Sequence, residues 1–148
     1  DNINSSVKSK GKVYAICDEY NEVERFMKSR MDIAKEMQEY IYTIQYRAYF
    51  ANMLRIDEKY VQDFIGVFSK KFKELYDSGV LGEYFFSKNK KSNVLCLINN
   101  QHKFHKIYQS QMKKRSIREK RKKLITVKIN SSSASVVVFG KQIVRIGN

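Results

Sequence analysis

The order of patterns along this 148-residue chain predicts an α+β domain, in which helices cover one face of an antiparallel sheet. Three observations carry that prediction. Apolar residues recur at intervals of three and four through about residues 18–79, whereas about 83–148 breaks into short runs rich in Val, Ile, Leu and Phe between Ser, Asn and Gly. The chain holds no Pro and only six Gly, which argues against a sandwich built from many tight turns and favours long elements. With 43% apolar residues, one domain of this length can bury a core. The expected organisation is a single domain over 1–148, its helical part at 18–79, its strand-rich part at 83–148, and a basic segment, 101–123, inserted in the latter.

Taken in order, Val23, Phe26, Met27, Ala34, Met37, Ile41, Ile44 and Ala48 line one face of a helix predicted from about Asn21 to Met53, with Asp18 as its cap. Its second half turns aromatic, with Tyr40, Tyr42, Tyr46, Tyr49 and Phe50 around much of its circumference. Asp57 is placed to cap a second helix that carries Tyr60, Val61, Phe64, Ile65, Phe68, Phe72 and Leu75 and stops at Asp77-Ser78-Gly79, where glycine takes a left-handed conformation at no steric cost. Tyr84 to Ser87, Val94 to Ile98 and Leu124 to Ile129 read as strands. Val136 to Phe139 and Ile143 to Ile146, around Gly140-Lys141, read as a hairpin or as one bulged strand. Between Asn99 and Lys123 three forms stay open: helix, hairpin tip or disordered loop. The spacing of Phe104, Ile107, Tyr108 and Met112 favours a helical stretch before the basic run.

Charge is distributed as unevenly as pattern. Residues 1–87 carry thirteen Lys/Arg against fourteen Asp/Glu, whereas residues 88–123 carry thirteen against Glu119 alone. Such a field attracts polyanions, because each phosphate neutralised by Lys or Arg releases a condensed counterion. The residues expected to make those contacts are Lys113, Lys114, Arg115, Arg118, Lys120, Arg121, Lys122 and Lys123, with Phe104 and Tyr108 as stacking surfaces for bases. Against this stands the ordinary reading of a Lys-rich run as a solvated segment.

Chemistry is harder to find. Cys17 and Cys96 lie in apolar runs outside any metal-ligand spacing and read as buried thiols, although one disulfide between them is open. His102 and His105 stand one helical turn apart without a third ligand nearby. No Gly-rich phosphate loop, Ser/His/Asp set or paired carboxylates propose a reaction, so the chain is expected to be no enzyme and to need neither cofactor nor metal. No stretch approaches the roughly 18 apolar residues of a membrane span, so any anchor is expected outside this fragment.

Several patches, in order, resemble the periplasmic domain of TraK-type proteins of conjugative transposons, members of the VirB-type inner-membrane scaffold of type IV secretion. Lys12-Val13-Tyr14-Ala15 stands where that family has its first strand; Tyr49-Phe50 followed by Asp57 is similar to its helix junction; Leu75-Tyr76-Asp77-Ser78 to the end of its second helix; and Phe139-Gly140-Lys141-Gln142-Ile143-Val144-Arg145 to a late strand. The sequence departs from the family at Gln45-Tyr46, at Ser131 to Ala134 and through 101–123. The resemblance implies a long N-terminal helix and a second helix on a curved antiparallel sheet, the nuclear-transport-factor-like cone. It further implies a non-enzymatic scaffold on the periplasmic side of the bacterial inner membrane, binding copies of itself and other secretion-channel subunits. The alternative function is a nucleic-acid-binding module that uses 103–123 on single-stranded DNA or another polyanion.

Overall fold

The computed structural model describes residues 10–30, 33–130, 135–138 and 142–145, with side chains for 12–30 and 33–122. Six helices follow one another: α1 (Lys10–Ser29), α2 (Lys35–Met53), α3 (Glu58–Asp77), α4 (Glu83–Lys88), α5 (Lys91–Asn99) and α6 (Gln101–Asn130). A two-stranded antiparallel hairpin, β1 (Ser135–Val138) with β2 (Gln142–Arg145), pairs Val136 with Val144 and Val137 with Ile143. The chain divides into two compact units, Asp1–Tyr108 and Gln109–Asn148.

The antiparallel sheet covered by helices is therefore overturned, and with it the cone. Tyr84 to Ser87 lie in α4, Val94 to Ile98 in α5, and Leu124 to Ile129 in α6; Lys12 to Ala15, the first strand of the resemblance, lie in α1. A short apolar run has the same letters in a buried strand and in a buried helix. In α5 the deciding fact is that Val94, Leu97 and Ile98, at helical spacing, are the residues buried, with Cys96 beside them. For 101–130, no Gly or Pro gives the backbone a reason to stop.

The single helix expected from Asn21 to Met53 is two helices. Neither glycine nor proline marks the break between Ser29 and Lys35. Contacts pair Glu24 with Gln45, Tyr20 with Tyr49, and Val13 with Asn52, so α1 and α2 run antiparallel. Folding back buries a face that shares only Met27 with the stripe expected from the sequence. Val13, Cys17, Glu24 and Met27 of α1 and Tyr42, Gln45, Tyr46, Tyr49 and Met53 of α2 are buried, while Val23, Phe26, Met37 and Ile44 stay exposed. Asp18 lies inside α1 rather than at its start.

The second helix forms as its letters predict. The Asp57 carboxylate accepts a hydrogen bond from the Lys59 N–H (3.2 Å), satisfying one of the free N–H groups of the first turn of α3, with Glu58 adding favourable charge there. Past its end Gly79 adopts φ 72°. Phe64, Phe68 and Phe72 are each fully buried. Phe68 sits at the centre of the core, its ring within 6.4 Å of those of Tyr46, Tyr49, Phe64, Phe72 and Phe104. Phe85 of α4 stacks on Phe72 at 6.0 Å and 23°. Between α3 and α4, Gly82 makes room for its neighbour: a Cβ there would force a shift of the Glu39 carboxylate, which is buried and accepts from the Phe85 N–H (3.4 Å).

Candidate nucleic-acid interface

The α6 helix starts at Asn100, whose side-chain oxygen accepts from the Lys103 N–H (2.9 Å) while its carbonyl accepts from Phe104 (3.0 Å). Its first two turns belong to the helical core. Phe104 is fully buried, edge-on to Phe50 (6.1 Å) and Phe68 (6.0 Å), and Tyr108 is 4% exposed, its ring stacked on His105 at 5.6 Å. Burial, and after it the charge of Glu58, pushes the Tyr108 hydroxyl above the ordinary phenol range. Neither aromatic is available to a base, which overturns their role as stacking surfaces. The spacing at 104, 107, 108 and 112 marks the helix, but the aromatics on it are core.

The second unit holds the basic run. Lys113, Lys114, Arg115, Arg118, Lys120, Arg121 and Lys122 are all exposed and lie within three turns of α6. The side chain of Lys123 lies outside the described residues. Glu119 is the single acid between residues 88 and 123, and it pairs with Arg115 at 3.1 Å, one turn away. An exposed pair of this kind is worth little, so it offsets the local field without cancelling it. Of the forms left open for 101–123 the structure selects the helix, and it brings these cations together in about 15 Å of axis at 1.5 Å per residue.

Elsewhere the first unit contains a buried polar cluster that spacing in the sequence conceals. Lys71 of α3 donates to the Glu24 carboxylate of α1 at 2.5 Å, and Gln45 Nε2 of α2 donates to Glu24 Oε1 (3.4 Å) and to the Tyr49 hydroxyl (3.3 Å). Gln45 Oε1 is without a hydrogen-bond partner among the described residues. These residues stand 21 and 47 positions apart, and only a search for charges falling on an apolar helical face would have hinted at Glu24. Nearby Cys17 is buried and free, as is Cys96; burial pushes the Cys17 thiol above its ordinary value. With Lys71 neutralised by Glu24 and the thiol held protonated, the cluster ties three helices together and offers no activated nucleophile.

A groove of about 230 Å³ between α1 and α2, lined by Met27, Lys28, Arg30, Ile33, Gln38 and Tyr42, is smaller than ordinary small-molecule sites. Among the described residues no group of three His, Cys, Asp or Glu is placed to hold a metal ion, and no helix is long and apolar enough to cross a membrane. No protein-family model, curated protein or solved structure matches this chain.

Proposed function

We propose that this chain is a non-enzymatic nucleic-acid-binding module whose working surface is the basic stretch of α6. One observation carries the reading: Lys113, Lys114, Arg118 and Lys120 are exposed on one continuous helix in which Glu119 is the single nearby acid. A helix holds its cations at fixed separations, so less ordering is needed on binding than from a loop of the same composition. Such a surface attracts phosphate through counterion release and supplies no chemistry.

The test is fluorescence anisotropy of a labelled oligonucleotide at about 50 and about 200 mM salt, a range that costs several-contact complexes orders of magnitude in affinity. Micromolar binding that collapses across that range is expected. Absence of binding at the lower salt would sink the reading and leave the charge as solvation.

A second reading, a scaffold acting through protein contacts, draws support from a different face. Met37, Tyr40 and Ile44 form an exposed stripe on α2, with Tyr84 beside Tyr40 at 6.3 Å. The cone implied by the secretion-scaffold resemblance is absent, so this reading rests on the stripe alone. Sedimentation of the wild type and of a Met37→Ser/Ile44→Ser variant would decide it: a concentration-dependent oligomer that the variant abolishes is what it requires.

A further inference from the structure

Resting on the nucleic-acid reading, we infer that the ligand of α6 is duplex DNA, with the basic stretch lying in the major groove between its two phosphate walls. The warrant is the arrangement of charge around the helix. At about 100° per residue, with Lys113 set at about 0°, Lys120 falls at about 340°, Arg118 at about 140°, Arg115 at about 200° and Lys122 at about 180°. Lys113 and Lys120 thus form one flank, and Arg118 leads the opposite one. Lys114 and Arg121, at about 100° and 80°, lie between them together with Ile117 at about 40°. Glu119, at about 240°, falls on the side away from that middle face. Ile117 is 49% exposed and is the one apolar side chain between Lys113 and Lys122.

The cations thus form one arc of about 220°, from Lys120 through Lys113, Arg121, Lys114, Arg118 and Lys122 to Arg115, and an arc that broad fits a groove with phosphates on both sides better than a single strand. A B-DNA major groove about 12 Å wide admits a helix and puts phosphates on both of its sides. The basic stretch, about 15 Å long, then spans four to five base pairs at about 3.4 Å each. A single strand offers one backbone, which one stripe of cations tracks, and its tight binders add aromatic platforms for the bases. The aromatics nearest the basic run, Phe104 and Tyr108, are buried in the helical core. Duplex RNA is disfavoured because its major groove is too deep and narrow for side chains to read. A helix that lies on a bilayer needs an apolar face, and within 113–122 Ile117 by itself is none, so anionic vesicles serve as the competitor that tests a lipid surface directly.

The experiment titrates the full chain into a labelled 16-bp DNA duplex, one of its strands alone, a 16-bp RNA duplex of the same sequence, and anionic lipid vesicles as competitor. The DNA duplex is expected to bind at least about tenfold tighter than the strand or the RNA, with a slope of log K on log salt near −4 to −5 from about five phosphate contacts. Two charge-reversed variants then separate the flanks: Lys113→Glu/Lys120→Glu on one side, Arg118→Glu/Lys122→Glu on the other. Each should weaken duplex binding by a similar factor, about tenfold or more, with helicity unchanged by circular dichroism. Equal or tighter binding of the single strand, a loss confined to one flank, or displacement of the duplex by vesicles would overturn the duplex inference while leaving a polyanion-binding helix. Binding to none of the probes would overturn the nucleic-acid reading itself.

Discussion

Phe104 decides between two roles, and its substitution gives each a different signature. The side chain is fully buried, with the rings of Phe50 and Phe68 edge-on at 6.1 and 6.0 Å. Truncation to alanine removes a whole buried ring and should cost about 3–5 kcal/mol. That is a large part of the roughly 5–15 kcal/mol total for a domain, so Phe104→Ala would leave the helical unit only marginally folded. Leucine is the better probe. It keeps most of the volume and loses two aromatic pairs worth about 0.5–1.5 kcal/mol each, an expected cost of about 1–3 kcal/mol. For a unit of roughly 100 residues this lowers the melting temperature by about 10 °C, measurable by far-ultraviolet circular dichroism. Affinity for DNA, taken well below that melting temperature, should stay within about twofold. A base-stacking residue would behave in the opposite way, because losing one stack costs about 1–3 kcal/mol, or about 5- to 150-fold in Kd. A Phe104→Leu protein with unchanged melting and tenfold weaker DNA binding would refute the burial argument and restore the stacking role.

Other outcomes follow from the buried polar groups and the backbone. Lys71→Met should destabilise by about 3 kcal/mol, because it leaves the Glu24 carboxylate buried without its cation; Glu24→Gln/Lys71→Met should recover most of that loss, and a double variant no more stable than Lys71→Met would show that the pair is not the cause. Gly79→Ala, at φ 72°, should cost about 1–2 kcal/mol by urea unfolding, whereas a neutral outcome would mean that the turn after α3 relaxes freely. Burial raises the hydroxyls of Tyr14, Tyr20, Tyr42, Tyr46, Tyr49 and Tyr108 above their ordinary value of 10.0. Protons are thus held more tightly folded than unfolded, so this part of the stability is intact below about pH 10 and is lost as pH rises beyond it. Tyrosinate absorbance at 295 nm from the buried Tyr42, Tyr46, Tyr49 and Tyr108 should therefore rise together with loss of helix; ordinary titration of these four with the helices intact would contradict their burial.

Local signals in the sequence reach as far as local physics does. Asp57 and Gly79 bracket α3 because a cap and a left-handed residue act through the backbone within a few positions, and Phe64, Phe68 and Phe72 lie on its buried face at the spacing their letters announce. The concentration of cations at 113–122 is a property of composition and needs no fold to be seen.

What the tertiary structure decided lies between elements. The return of the chain at 30–34 carries no glycine or proline; it exists because Glu24, Tyr20 and Val13 find Gln45, Tyr49 and Asn52 when α1 folds back, and that gain is invisible from either helix taken separately. The same return exchanges the assumed core face for another, exposing Phe26 and Met37 and burying Tyr42 and Tyr46. The runs Tyr84 to Ser87 and Val94 to Ile98 form helices packed on α2 and on α3 respectively, and periodicity within so short an apolar run does not by itself separate a helix from a strand. In α6 the number of charges was set by the sequence, while their spread over a broad arc beside Glu119 required the helix: periodicity converts a run of cations into a surface with sides.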